Sequence, residues 1–182
     1  RVEMFTTSGD PTGGWGGLTD PRGIAVDGDG FVYVAETGAN RVSKFGPTGT
    51  PVRSWGVGGS GDGEFNQPIG VAVAPDGTVY VADYANSRIQ HFTADGGFLG
   101  KWGEWGSANS QFRSPTGVAV DASSRVYVAD YLNDRIQKFT AAGGFLSTWG
   151  TSGSGDNEFN LPHGLAVADP ALRARITAAQ QA

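Results

Sequence analysis

The sequence predicts an all-β chain of β-propeller blades, each a sheet of four antiparallel strands. Three observations carry that reading. Residue types recur at a spacing of 47: Pro21, Pro68, Pro115 and Pro162; Arg41, Arg88 and Arg135; Trp55, Trp102 and Trp149; Phe45, Phe92 and Phe139; Phe65, Phe112 and Phe159. Each unit holds four short segments, with β-branched and aromatic residues strongest in the second, separated by turn residues. Glycine supplies 30 of the 182 residues and falls mainly at those turns, where a positive φ is tolerated. Four strands repeated every 40–50 residues or so describe a propeller blade.

In chain order, residues 1–20 read as an N-terminal outer strand and loop, with Val2–Phe5 as a fourth strand. Blades follow over 21–67, 68–114 and 115–161, and 162–182 makes a partial blade and C-terminal tail. First strands are GIAV (Gly23–Val26), IGVAV (Ile69–Val73), TGVAV (Thr116–Val120) and HGLAV (His163–Val167). Second strands are FVYVAE (Phe31–Glu36), TVYVAD (Thr78–Asp83) and RVYVAD (Arg125–Asp130). Third strands are RVSKF (Arg41–Phe45), RIQHF (Arg88–Phe92) and RIQKF (Arg135–Phe139), which alternate in polarity. Fourth strands are VRSWG (Val52–Gly56), FLGKWG (Phe98–Gly103) and FLSTWG (Phe145–Gly150). Beyond Val167 the pattern departs, because Arg173 and Arg175 fall where apolar strand residues belong. Residues 169–182 are open between a strand and a short helix of good helix formers.

Composition removes several function classes. Lys+Arg 13 against Asp+Glu 18 gives a net charge of −5, with no basic cluster, which argues against nucleic-acid binding. No apolar run is long enough for a transmembrane helix. Without Cys there is no disulfide framework and no thiol chemistry. Beginning at Arg1 with no apolar leader, the chain reads as a processed or excised piece without its signal segment. The lack of Cys, the few Lys and the abundant Gly, Thr, Ser and Asn point to an extracytoplasmic or secreted setting.

Taken together, P-x-G-(V/I)-A-V, V-Y-V-A-(D/E), R-(I/V)-Q-x-F and G-x-F-x-x-x-W-G resemble the NHL repeat, over Leu18 to about Val167. The resemblance implies six-bladed propellers that serve mostly as binding platforms, some bearing enzymes such as the amidating lyase. Against a six-bladed ring this chain is a half-propeller. It is a fragment of a longer propeller, a half that pairs with a second copy, or a small four-bladed ring. In the paired form, Val2–Phe5 of one copy would complete the last blade of the other.

The same resemblance places the first strand at the channel and sorts the loops onto two faces. Trp15, Arg22, Tyr84, Trp105, Tyr131 and His163 then share one face and are the binding-face candidates. Trp15 and Trp105 have no aromatic counterpart at the 47-residue spacing. After the repeated Pro stand Arg22, Ile69, Thr116 and His163, four chemistries at equivalent places. The repeated pairs Glu36/Arg41, Asp83/Arg88 and Asp130/Arg135 read as structural, a bidentate ion pair bracing the second turn. Asn40, Asn86 and Asn133 read as Asx turns. His91 replaces Lys44 and Lys138 and reads as a surface residue.

No catalytic residue and no metal ligand set is assigned. No G-x-S-x-G, phosphate loop or dinucleotide motif occurs. The resemblance implies zinc held by several His in the lyases, and only His91 and His163 exist here. Calcium is the one cofactor under consideration. Its oxygen ligands would come from loops 58–65 and 151–159, or from Asp27 and Asp121. The leading function is a noncatalytic scaffold that binds a protein, peptide or glycan through one loop face and self-associates. The alternative is a lactonase- or lyase-like enzyme with calcium in the channel.

Overall fold

Strands β1 (Val2–Phe5) and β2 (Pro11–Trp15) open the chain as an antiparallel pair. Three four-stranded meanders follow. Blade 1 is β3 (Pro21–Val26), β4 (Val32–Glu36), β5 (Arg41–Phe45) and β6 (Pro51–Trp55). Blade 2 is β7 (Pro68–Val73), β8 (Val79–Asp83), β9 (Arg88–Phe92) and β10 (Phe98–Trp102). Blade 3 is β11 (Pro115–Val120), β12 (Val126–Asp130), β13 (Arg135–Phe139) and β14 (Phe145–Trp149). A short parallel pair, β15 (Thr151–Ser152) and β16 (Glu158–Phe159), comes next. The computed structural model describes residues 1–167, so the choice between strand and helix over 169–182 lies outside the described residues.

The fold is all-β, three complete propeller blades preceded by the partial blade β1–β2. His163–Val167, expected as a first strand, forms no strand. The N-terminal assignment also changes. Val2 pairs with Trp15 as Val42 pairs with Trp55, and Phe5 with Pro11 as Phe45 with Pro51. Val2–Phe5 is therefore a third strand, and β2 is the fourth. Its spacing to blade 1 is 40, because Trp15 to Pro21 covers 6 positions where Trp55 to Pro68 covers 13. Trp15 is thus the counterpart of Trp55, Trp102 and Trp149. It packs on Phe45 with centroids 5.3 Å apart, as Trp55 does on Phe92 at 6.0 Å and Trp102 on Phe139 at 5.6 Å. Each indole lies under a turn glycine of the next blade, Gly49, Gly96 or Gly143, with φ between +82° and +86°. A side chain there would meet both the ring and the left-handed backbone.

Faces of neighbouring blades interlock. Tyr33, Ala35, Val42 and Phe65 pack against Val71, Val79, Val81 and Phe92, and the same layer recurs between blades 2 and 3. At the centre the inner strands touch by backbone. A Cβ on Gly23 would overlap the Ile69 carbonyl oxygen, one on Gly70 that of Thr116, and one on Gly117 that of His163. The P-x-G motif therefore marks the contact of each blade with the next, and residues 163–164 continue the series past β11. Both open ends show apolar surface. Ile24 is 54% exposed where Val71 and Val118 are buried, Val26 is 60% exposed where Val73 and Val120 are partly buried, and Trp149 is 38% exposed.

Candidate binding face

The loops of this face are held by buried polar side chains. Asp83 accepts from Arg88 Nε at 2.7 Å, the Asn66 N–H at 2.7 Å, Asn86 Nδ2 at 2.9 Å and Gln90 Nε2 at 3.2 Å. The remaining Arg88 nitrogens donate to the carbonyls of Ser60, Gly61 and Glu64. Asp130, Arg135, Asn133 and Gln137 repeat this arrangement on Ser107, Ala108 and Gln111. These pairs are not bidentate, and they clamp the loop arriving from the preceding blade as well as their own turn. Blade 1 differs because its incoming loop is short. There the longer Glu36 takes Arg41 in bidentate fashion at 2.8 and 3.1 Å, with Ser43 and the Thr19 N–H as further donors. Burial alone would raise the pKa of Glu36, but these donors outweigh it and hold the group below its ordinary value.

The asparagines do not form the expected Asx turns; Asn86 and Asn133 donate to Asp83 and Asp130 of their own blades. Asn86 and Asn133 reach across to the carbonyls of Gly59 and Gly106. Asn40 adopts a left-handed conformation and accepts the Gln67 N–H at 2.8 Å.

Above this clamp stand three 3₁₀ turns, Thr37–Ala39, Tyr84–Asn86 and Tyr131–Asn133. With the first residues of the inner strands they enclose a hollow of about 300 Å³, whose lining includes Arg22, Tyr84, Tyr131 and His163. Four of the six binding-face candidates therefore meet. The rings of Tyr131 and His163 are 4.6 Å apart, and Arg22 Nε lies 3.3 Å from Asp20. Trp15 is elsewhere, packed between blades. Trp105 sits on the loop between blades 2 and 3, 62% exposed, 5.5 Å from the Arg113 guanidinium. Thr37, Gln67 and Ile69 also line the hollow; Ile69 stood in the column after the repeated Pro, whereas Thr37 and Gln67 were not singled out from the sequence. Thr37 and Ile69 occupy the repeat positions of Tyr84 and Arg22, and that shared column was the available signal.

On the opposite face, Asp27 accepts from the N–H groups of Asp29 and Phe31 and from the Tyr33 hydroxyl. Asp121 accepts from the N–H groups of Ser123 and Arg125, from Arg125 Nε and from the Tyr127 hydroxyl. Burial acts to raise the pKa of Asp121, and these hydrogen bonds overcome it and lower it. Blade 2 has Ala74 at this position, so no carboxylate stands between the two. Glu64 and Glu158 turn back onto the N–H groups of Gly61 and Gly155. Among the described residues, no three His, Cys, Asp or Glu side chains are grouped to hold a metal ion.

His91 is not a surface residue. It is half-buried, stacked on Tyr80 at 5.6 Å and edge-on to Trp102 at 5.8 Å. Burial lowers its pKa, so the unfolded chain takes up a proton more readily than the folded one. Its contribution to stability is complete above about pH 6.5 and is lost as pH falls through the lower folded value. Melting temperature should therefore fall between pH 7.5 and 5.5, and His91→Gln should flatten that slope; an unchanged slope would contradict the assignment.

The NHL repeat model matches residues 18–45, 65–92 and 112–139. No curated protein sequence matches the chain. Solved structures do. A chain of the nidogen/laminin complex is 18% identical with a TM-score of 0.63, over 86% of this chain and 55% of that one. Virginiamycin B lyase from Staphylococcus aureus is 15% identical with a TM-score of 0.64, over 93% of this chain and 53% of that one. Hydrazine synthase from Kuenenia stuttgartiensis is 14% identical with a TM-score of 0.62, over 84% and 40%. The chain thus spans about half the length of the structures it resembles, and at these identities the likeness is one of fold.

Proposed function

We propose that this chain, built of three NHL repeats, is a noncatalytic binding scaffold that recognises a protein, peptide or glycan through the face of the 3₁₀ turns. One observation carries the reading. Arg22, Tyr84, Tyr131 and His163 converge on a single hollow, with Arg22 and His163 differing at one repeat position and Tyr84 and Tyr131 repeated at another. Rigid loops carrying aromatic and guanidinium groups suit recognition. A similar fold is found in an assembly of nidogen with laminin, which supports a protein partner.

A peptide library and a glycan array supply ligands for the test. Tyr131→Ala combined with His163→Ala should weaken a recovered ligand about ten-fold or more. Asp76→Ala, in the loop between β7 and β8 on the opposite face, should change nothing. Equal affinities for wild type and the double variant would contradict the reading.

Exposed Ile24, Val26 and Trp149 favour association of the open ends with further blades, from the rest of a longer propeller or from a second copy. Sedimentation as a monodisperse monomer would count against that. A calcium-dependent lyase or lactonase is the second reading, favoured by the lyase fold and by Asp27 and Asp121 at the other end of the inner strands. Calorimetric titration with calcium separates the two readings, since binding that Asp121→Asn abolishes would favour the enzyme. An extracytoplasmic setting is proposed on composition alone.

A further inference from the structure

Three residues that break the repeat meet around Arg113, two on the loop between blades 2 and 3 and one on the 3₁₀ turn of blade 3. Trp105 stands where the preceding loop has Gly58, Arg113 where it has Asn66, and Leu132 where blade 2 has Ala85. The backbone beneath them is unchanged. The Leu132 N–H donates to the Arg113 carbonyl at 3.1 Å as that of Ala85 does to Asn66 at 3.0 Å. The N–H groups of Arg113 and Asn66 each meet the blade aspartate at 2.7 Å. Trp105 bridges Phe112 as Gly58 bridges Phe65. Only the side chains differ, from small or polar to large, apolar and cationic.

What they present is specific in kind. Trp105 and Leu132 are 62% and 44% exposed. Arg113 lies against the Trp105 ring and forms no ion pair among the described residues. Its Nε is shielded from water without a hydrogen-bond partner. The acid of the same loop, Glu104, is engaged by Gln111 Nε2 at 3.0 Å. A guanidinium held in place and partly dehydrated gains more from an incoming carboxylate than one free in water. Leu132 follows Tyr131 of the hollow in one 3₁₀ turn.

We infer that Trp105, Arg113 and Leu132 form an outer subsite for a peptide segment of a protein partner, taking an acidic residue on Arg113 and a neighbouring apolar side chain on Trp105 and Leu132. A neutral glycan would leave the guanidinium unanswered, and an acidic one would offer little to Leu132. The inference rests on this face being the binding face.

The probe is a displayed random heptapeptide library panned on the chain. Recovered peptides should share Asp or Glu beside Phe, Leu or Trp. Their affinity should fall about ten-fold with Trp105→Ala or Arg113→Gln and comparably with Leu132→Glu. It should also fall several-fold between roughly 0.05 and 0.5 M salt. Arg53→Gln, at an exposed arginine on β6 with no ion pair among the described residues, should have no effect. If Arg113→Gln lowers the melting temperature, exposed Leu132→Glu decides the matter. Recovery of no peptide, peptides without an acidic residue, or full affinity in Trp105→Ala and Leu132→Glu overturns the inference. Loss with Tyr131→Ala but not with Trp105→Ala overturns the outer subsite and leaves the hollow in place. Loss with Trp105→Ala but not with Tyr131→Ala and His163→Ala upholds the outer subsite and overturns the hollow.

Discussion

Gly70→Ala lowers stability by about 3 kcal/mol, measured by equilibrium urea unfolding, because the new methyl group is driven into the backbone of the next blade. The position is half-buried at the contact of β7 with β11, and the obstacle is the Thr116 carbonyl, not a side chain that could rotate away. Relief requires blades 2 and 3 to separate, which opens the layer of Tyr80, Ile89, Phe112, Val118 and Phe139. Gly23→Ala and Gly117→Ala meet the same obstacle in their own places. Gly28→Ala is the control. A Cβ there meets nothing within 4 Å and the backbone needs no positive φ, so stability should stay within about 0.5 kcal/mol. Equal stabilities for Gly70→Ala and Gly28→Ala would show that the inner strands do not make this contact.

Asp83→Ala should cost about 3–5 kcal/mol, the range for a buried ion pair that loses one partner. Asp83 is fully buried and the Arg88 side chain is only 7% exposed, so the guanidinium would be left without its countercharge. The same change releases the donors of Asn66, Asn86 and Gln90, and with them the loop of Ser60–Glu64. Faster protease cleavage within that loop should accompany the lost stability. Lys101→Ala removes an ion pair whose partners are 44% and 56% exposed and should cost less than about 1 kcal/mol. Comparable costs for the two variants would contradict the clamp.

Much of the scaffold was legible because each blade uses the same residues for the same contacts. The 47-residue spacing of Pro, Arg, Trp and Phe reports one sheet stacked on the next. What escaped the reading has physical causes. A shortened connection before Pro21 moves β1 and β2 to a spacing of 40, which hid Trp15 among its counterparts. The acid–arginine pairs lie five residues apart on one hairpin, so the spacing suggests a local brace. Their second set of partners lies 24 to 28 residues away and leaves no local pattern. His91 occupies a polar position of an alternating strand, but the Tyr80 and Trp102 rings cover it. Turn glycines and close-approach glycines look alike in sequence, and only the packing of β3, β7 and β11 separates them. For the site, sorting loops by face placed Arg22, Tyr84, Tyr131 and His163 on one face, and the four line a single hollow. Thr37 and Gln67 escaped because their side chains carry no distinctive chemistry.

The most direct test of the binding face is amide chemical-shift mapping of the labelled chain during titration with a peptide or glycan recovered from the library and array. Shifts should gather at Arg22, Thr37, Tyr84, Tyr131 and His163 and extend toward Leu132. Shifts confined to the opposite loops, at Asp27–Gly30, Ala74–Gly77 and Asp121–Ser124, would contradict it.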